Sequence, residues 1–255
     1  LKPGGERMSL IIYADFSSPF CYLASRRVDV LRSAKVDVDW RAVEVEHAPQ
    51  LPVTGRRLDE AGRRALHTDL AEIRQLLLPD EHVTWRVPDF VPNTEAAVAG
   101  YTEAYCAGVA DDVRRLLFRA YWCRGMNIGD PEQLRKPLVG PILRGHSPSD
   151  PLRLSGYAVS VGRGPITTTA WRQIRAWQNE WDALGRIPVP VLVENGLPVS
   201  GSEVPRRLAK MITQLNIPLD PELPEPERYP VPRVRPPEWW ASQSGGQWLY
   251  HFRRA

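Results

Sequence analysis

The chain has 255 residues, of which 43% are hydrophobic and 25% charged, and its formal net charge is +3. This length suits one elaborated domain as well as two small ones, and the composition is that of an ordinary soluble globular protein. The basic residues are spread along the chain, so nucleic acid is not the expected partner. No apolar run approaches the roughly 20 residues that span a bilayer, which argues against a membrane protein. Residues 1–7 lack the apolar segment of a secretory signal, and we expect a cytoplasmic protein.

The cysteines and histidines favour neither a disulfide scaffold nor a metal centre. The three cysteines, Cys21, Cys106 and Cys123, cannot all pair, and none forms a C-x-x-C motif with another. Too few ligands stand at the spacing of a zinc site, and the five histidines show no metal-ligand spacing. We therefore expect no bound metal, and we expect Cys106 and Cys123 to be small core residues on amphipathic helices.

The amino-terminal part has the pattern of a βαβ unit. Ser9–Phe16 is rich in β-branched and aromatic residues, which predicts a buried strand. Ser18 stands at an N-cap position with Pro19 after it, so we expect a helix that runs to about Ala34. Val36–Val45 alternates apolar and polar residues, which predicts a second strand. The crossover of such a unit is right-handed.

The middle of the chain loses strand patterns and shows helical spacing instead. Helices are predicted for Leu58–Leu78, Asp111–Cys123, Glu132–Leu138 and Thr168–Leu184. A further helix is predicted to begin after a cap at Asn93 or Thr94. The last of these carries Trp171, Ile174, Trp177 and Trp181 on one face, which we expect to lie in the core. Gly145–Gly164 is rich in Ser, Gly and Pro and predicts an exposed loop.

Strand patterns return near the carboxyl end. Pro190–Glu194 and Pro198–Ser200 flank Asn195-Gly196, a pair that strongly favours a hairpin turn. A helix from about Ser202 to Thr213 follows. The element order predicts an α/β protein with a thioredoxin-like sheet, in which an all-helical insertion separates the βαβ half from the β-hairpin-α half.

This order also predicts the domain boundaries. Residues 8–55 and 186–216 form the thioredoxin-like domain, and residues 56–185 form the helical insertion. Residues 217–255 form a carboxyl-terminal extension in which eight prolines fall between Pro218 and Pro237, a composition that favours extended conformation. Its aromatic and basic end is expected to pack on the domain or on a second subunit.

The main candidate for chemistry is Ser18-Pro19-Phe20-Cys21, where a strand gives way to a helix. Backbone N–H groups without helical partners, together with the helix dipole, favour an anion such as a thiolate at this point. The alternative is a plain helix cap followed by a buried cysteine one turn later. Val189-Pro190 stands just ahead of the strand at Val191–Val193. A proline at the start of a strand is usually an ordinary trans residue.

Several ordered motifs resemble the DsbA-like family, which includes FrnE-type oxidoreductases, kappa-class glutathione transferases and 2-hydroxychromene-2-carboxylate isomerases. The resemblance covers roughly residues 9–213 and rests on Asp15–Leu23, Asp69-Leu70, Pro88–Thr94, Leu117–Tyr121, Asn127–Asp130, Val189–Val193 and Ser200–Glu203. It implies a cis peptide bond at Val189-Pro190 that faces the active-site turn.

The resemblance also implies roles for individual residues. Redox members have cysteine where this chain has Ser18, so the usual intramolecular disulfide cannot form. The transferases and isomerases have serine there, and its hydroxyl is expected to donate a hydrogen bond to the thiolate of bound glutathione. Gly201-Ser202-Glu203 resembles their Gly-Ser-Asp turn, which holds the γ-glutamyl end. The residues expected to contact the thiol are Phe20, Asp69, Val189, Pro190, Ser202 and Glu203.

Two departures bear on which thiol is used. The loop His47–Gln50 lacks the asparagine that the family has before its proline, and Arg57–Arg64 contains no lysine. Arginine greatly outnumbers lysine in the chain, as in proteins from GC-rich genomes, and in an actinobacterium the thiol would be mycothiol.

The leading prediction is an enzyme in which Ser18 stabilises the thiolate of bound glutathione or mycothiol. That thiolate would attack a small electrophile, or add reversibly to isomerise an unsaturated substrate. One alternative is a thiol–disulfide oxidoreductase that acts through Cys21 alone. Another is a non-catalytic binding module on the same fold. A homodimer is possible in this family.

Overall fold

A computed structural model describes residues 10–45, 51–145 and 150–219. The loop His47–Gln50, His146 and the extension from residue 220 lie outside the described residues. In chain order, the described part forms β1 (Leu10–Ala14), α1 (Pro19–Ser33), β2 (Val38–Ala42), β3 (Arg56–Arg57), α2 (Glu60–Leu76), β4 (Phe90–Val91), α3 (Glu95–Cys106), α4 (Ala110–Trp122), α5 (Pro131–Leu143), α6 (Asp150–Ser155), α7 (Thr168–Ala183), β5 (Val191–Glu194), β6 (Leu197–Ser200) and α8 (Glu203–Gln214). None of the helices in this part is long and apolar enough to cross a membrane.

The main sheet has the strand order β2-β1-β5-β6, which confirms the predicted thioredoxin-like sheet. β1 and β2 are parallel, with Leu10 opposite Val38, and the other two pairs are antiparallel. Asn195 and Gly196 both have positive φ angles, 52° and 79°, as a tight hairpin turn requires. The two halves of the sheet are therefore more than a hundred residues apart in sequence and adjacent in space.

Helices cover the sheet and form a continuous core with it. α1 packs against α8, while α3 and α7 pack against each other and against β2. The side chains of β1 are almost all buried, because a parallel strand pair is covered on both faces. Phe16, just after β1, packs against Tyr101 of α3 and Phe118 of α4, with ring centroids 5.8 and 5.0 Å away. These aromatic contacts bring the helical insertion directly onto the strand that leads to Ser18.

Buried arginines fasten the insertion to α1. Arg114 of α4 donates a 2.7 Å hydrogen bond to the Ser25 carbonyl and forms an ion pair with Asp29, and both side chains are almost completely buried. Arg27 of α1 donates a 3.0 Å hydrogen bond to Glu81 in the loop after α2. A buried guanidinium is costly when its charge has no partner, so these contacts fix how α1 and the insertion sit against each other.

The structure corrects two expectations for the insertion. Gly145–Gly164 is not simply an exposed loop: its described part contains α6, and Ala158 and Val159 are fully buried. The missing side chain of Gly100 on α3 makes room for Leu138 and Val159, because a Cβ there would lie 2.3 Å from Leu138 Cδ1 and 3.3 Å from Val159 Cγ2. On α7, Trp177 and Trp181 are buried as expected, but Trp171 is 45% exposed.

Candidate active site

Ser18 caps α1 at the carboxyl end of the paired strands β1 and β2. Its backbone is extended, with φ −82° and ψ 128°, and its side-chain oxygen accepts a 3.3 Å hydrogen bond from the Cys21 backbone N–H. Pro19 begins the helix, since its missing N–H would have no helical partner at that position. Ser18 is partly exposed. A partly exposed serine thus stands at the positive end of a helix of 15 residues.

Cys21, one turn further along α1, is in a very different environment. Its side chain is fully buried in the core. Burial raises the pKa of the Cys21 thiol far above its ordinary range, although hydrogen bonding to Ser18 opposes that shift. A nucleophilic cysteine needs an accessible thiolate, and Cys21 has the properties of a packed, protonated thiol. The structure therefore argues against the predicted catalytic role of Cys21.

The Val189–Pro190 peptide bond is cis and directly precedes β5. Val191 is opposite Tyr13 in the β1–β5 pairing, which brings Pro190 to the end of β1. The Gly201 N–H donates hydrogen bonds to the carbonyl oxygens of Pro190 and Pro188, at 2.9 and 3.2 Å. The cis peptide, the Ser18 turn and the Gly201 turn therefore meet at one edge of the sheet.

Ser202 and Glu203 begin α8 at the same edge. Ser202 is the N-cap residue, but its side chain makes no capping hydrogen bond to the helix. Glu203 lies in the first turn and is exposed. The backbone N–H groups of this turn are not capped by Ser202, and a helix start of this kind suits a carboxylate.

The last two predicted residues, Phe20 and Asp69, lie on α1 and α2. Phe20 is partly buried and packs against the core. Asp69 is on α2, and burial together with Glu72 raises the pKa of its carboxyl. Within the described residues Asp69 makes no hydrogen bond with the Ser18 turn, whereas its neighbour Leu70 shares a small apolar cavity with Pro19.

Asp15 is a site residue to which the sequence analysis gave no role. Its side chain is 1% exposed and accepts four hydrogen bonds. Ser17 donates through its backbone N–H at 2.7 Å and its hydroxyl at 2.5 Å, the Val45 N–H donates at 3.2 Å, and the Thr94 hydroxyl donates at 2.8 Å. A charged residue directly after an apolar strand was the available signal, since such a residue is buried only when it is paired.

Glu44, two residues after β2, is a second carboxylate that the sequence analysis did not single out. Its backbone N–H donates a 3.3 Å hydrogen bond to Gln178 of α7. Burial, with the nearby charges of Glu95 and Asp15, raises the pKa of Glu44 to about 7, and the Arg163 guanidinium opposes this shift. The carboxyl ends of β1 and β2 therefore have near them a carboxyl that can exchange a proton near neutral pH.

A cavity of about 520 Å³ lies away from this edge, at the other end of α1. Among its lining residues, Arg32 pairs with Asp111, and Arg115 pairs with Asp112. α1 has 15 residues and is about 22 Å long, so this cavity is not part of the Ser18 site.

Comparison with known proteins identifies the family. The sequence matches the DsbA-like thioredoxin domain over residues 9–139, which is just over half of the chain. The chain belongs to the DsbA-like thioredoxin domain family. A search of curated proteins finds no match.

Solved structures agree with this DsbA-like fold. A candidate DsbA oxidoreductase of Streptomyces coelicolor is 18% identical, with a TM-score of 0.55 and coverage of 81% of this chain and 89% of the other. A 2-hydroxychromene-2-carboxylate isomerase is 18% identical, with a TM-score of 0.57 and coverage of 82% and 96%. A candidate protein disulfide isomerase of Nitrosomonas europaea is 13% identical, with a TM-score of 0.50 and coverage of 82% and 99%. The prediction of a DsbA-family enzyme, with its branch left open, agrees with these matches.

Proposed function

We propose that this protein is a DsbA-like enzyme in which Ser18 hydrogen-bonds the sulfur of a bound low-molecular-weight thiol. One observation carries the proposal: the first position of the Ser-Pro-Phe-Cys turn holds a partly exposed serine at a helix N-terminus, whereas the cysteine at its last position is fully buried. The accessible group at this turn is therefore a hydrogen-bond donor for a sulfur brought by another molecule, and not a sulfur of the chain itself.

The residues around Ser18 fit a γ-glutamyl thiol or a similar small thiol. The Ser18 oxygen accepts the Cys21 N–H, and its hydroxyl, which also hydrogen-bonds with the Cys21 thiol, would turn its proton to the sulfur of a bound ligand. The partly exposed Val189, before the cis peptide, offers its backbone to an extended peptide. The uncapped start of α8 at Ser202 suits the carboxylate of such a ligand. Exposed Glu203 can accept from an ammonium group, with a reach one methylene longer than that of aspartate.

The chemistry follows from what Ser18 does to a sulfur beside it. A bound thiol supplies the nucleophile. Ser18 donates a hydrogen bond to the charged form, and the N-terminus of α1 adds a positive potential, so both lower the pKa of a thiol at that point. The substrate is a small electrophile or an unsaturated compound, which is converted by group transfer or by reversible addition and isomerisation.

A thiol–disulfide oxidoreductase acting through Cys21 alone has less support. Its sulfur is enclosed by the core, and burial raises the pKa of the thiol, so neither access nor thiolate formation favours attack on a disulfide.

Calorimetric titration with glutathione and, separately, with mycothiol tests the proposal. The wild type should bind one of them, and Ser18→Ala should weaken binding of that thiol more than binding of its S-methyl derivative. The S-methyl derivative is the matched control, because it keeps every group except the ionisable thiol. If the wild type binds neither thiol, the proposed function is wrong.

A further inference from the structure

The Asp15 carboxylate joins three segments of the chain at the edge of the sheet where Ser18 lies. Ser17 belongs to the turn before α1, Val45 follows β2, and Thr94 precedes α3 of the helical insertion. All three donate hydrogen bonds to Asp15, and the carboxylate is buried from water. We infer that Asp15 is a positioning residue for Ser18 and that Thr94 of the insertion holds Asp15 in place. This inference rests on the proposed role of Ser18 in binding a thiol.

The contacts on the turn side determine the backbone at Ser18. One oxygen of Asp15 accepts both the backbone N–H and the hydroxyl of Ser17, at 2.7 and 2.5 Å. The backbone carbonyl of Asp15 accepts the Ser18 N–H at 3.4 Å. Asp15 thereby fixes the two residues that orient the Ser18 hydroxyl, without touching that hydroxyl itself.

The contact on the insertion side uses the other oxygen of Asp15. Thr94 is 3% exposed, and its hydroxyl donates to that oxygen at 2.8 Å. Although Thr94 is the N-cap residue of α3, its side chain does not cap the helix, and the neighbouring Asn93 accepts the Glu95 N–H instead. The Thr94 hydroxyl is therefore committed to Asp15, and the insertion contributes to the geometry of the active-site turn.

Burial makes the position of the Asp15 carboxylate sensitive to the loss of any one of its hydrogen-bond donors. A buried carboxylate that loses one donor keeps the cost of its desolvation, so it moves to recover a partner. The partners within reach are those of the Ser17 turn and of Val45, and any shift toward them displaces Ser18 relative to a bound sulfur. A displacement of a fraction of an ångström weakens a hydrogen bond to sulfur but leaves more distant ligand contacts unchanged.

Thr94→Val is the informative variant. It replaces the hydroxyl by a methyl of similar size and leaves the backbone unchanged, whereas Asp15→Asn would place a buried amide against several donors and threaten folding. Thr102→Val is the matched control on the same helix, because the buried Thr102 hydroxyl donates only to the Val98 carbonyl at 2.7 Å. Thr94→Ser keeps a hydroxyl at this position and should therefore bind the thiol as the wild type does.

Two readouts separate this inference from the proposed function. In the free protein, Thr94→Val should speed hydrogen exchange at the backbone amides of residues 17, 18, 20 and 21, while exchange in α8 stays as in the wild type. In the complex, Thr94→Val should weaken binding of the thiol about fivefold, the loss expected for one hydrogen bond, and binding of its S-methyl derivative less than twofold. Thr102→Val and Thr94→Ser should resemble the wild type in both readouts.

Each outcome has a definite meaning. Unchanged exchange at these four amides in Thr94→Val overturns the inference, as does an equal effect of Thr102→Val. Equal loss of affinity for the thiol and its S-methyl derivative also overturns it, because Thr94 would then support the fold without positioning Ser18. If the wild type binds no thiol, the proposed function fails, and the exchange readout alone decides whether Thr94 holds the turn.

Discussion

Ser18 and Cys21 face each other across one helical turn, with the Cys21 backbone N–H donating to the Ser18 side-chain oxygen at 3.3 Å. The two side chains nevertheless lie in different environments. Ser18 is partly exposed, and Cys21 is completely buried. The accessible residue at this turn is therefore a serine where a redox enzyme would have a cysteine, and this difference underlies the proposed function.

Cys21 should be the slowest cysteine to react with an alkylating agent in the folded protein. Cys106 and Cys123 are partly exposed, although burial raises the pKa of Cys106 to about 11. An alkylating agent reaches Cys21 only when the structure opens. Mass spectrometry of peptides after timed alkylation measures the order in which the cysteines react, which should begin with Cys123.

Cys21→Ala should lower the free energy of unfolding by about 1 kcal/mol and leave thiol binding unchanged. Loss of thiol binding in this variant would contradict the account.

The Ser18 hydroxyl should matter for binding more than for stability. Ser18→Ala removes an N-cap and should lower the free energy of unfolding by about 1 kcal/mol, whereas Ser18→Gly should cost only a few tenths. Both variants remove the same hydroxyl, so they should weaken thiol binding equally. Asp59→Ala is the control: Asp59 caps α2 through the Gly62 N–H at 2.7 Å, and its loss should destabilise the protein without changing thiol binding. Urea unfolding and calorimetry on the same samples make the comparison.

Glu44 should make the protein less stable as the pH rises through neutrality. The pKa of Glu44 is about 7 in the folded protein and has an ordinary value of 4.5. The folded state therefore favours the protonated carboxyl, and that contribution is complete below about pH 4.5 and lost as the pH rises through about 7. The shift is equivalent to about 3 kcal/mol at most.

Glu44→Gln mimics the protonated carboxyl and removes this dependence. Relative to the wild type, the variant should gain stability between about pH 5 and about pH 8, measured by urea unfolding at both values. Glu132→Gln, which changes a carboxylate that is 70% exposed, is the control and should show no such trend. A difference between Glu44→Gln and wild type that is independent of pH would show that Glu44 does not titrate in this range.

Arg114 should be important for keeping the insertion attached to α1. Arg114→Met leaves Asp29 buried with only the 3.2 Å contact from Arg115 and should lower the free energy of unfolding by about 3 kcal/mol. Arg64→Met breaks an ion pair between side chains that are 68% and 79% exposed, and should cost less than about 1 kcal/mol. Equal effects of the two substitutions in urea unfolding would contradict this assignment.

Most of the architecture was predictable because its signals are local. The apolar run of β1, the Ser18-Pro19 start of α1 and the Asn195-Gly196 turn each determine the conformation of a few neighbouring residues. Their order along the chain was enough to predict the split sheet. The two-residue strands β3 and β4 were not predicted, because elements this short carry no periodicity.

The missed features depend on contacts that are remote in sequence. Asp15 and Thr94 are 79 residues apart, and nothing near either one shows that they meet. The raised pKa of Glu44 comes from burial together with the charges of Glu95 on α3 and Asp15 just after β1, so β2 alone could not reveal it. The packing of Leu138 and Val159 depends on space left by Gly100 on α3, far from both in the sequence. Tertiary packing decided each of these cases.

The most direct test of the account is the pKa of the thiol in the complex, read from the ultraviolet absorbance of its thiolate during a pH titration. In the wild-type complex the pKa of the bound thiol should lie at least about one unit below that of the free thiol, and Ser18→Gly should remove most of that difference. An unchanged pKa of the bound thiol in the wild-type complex, or the same lowering with Ser18→Gly, would contradict the role of Ser18.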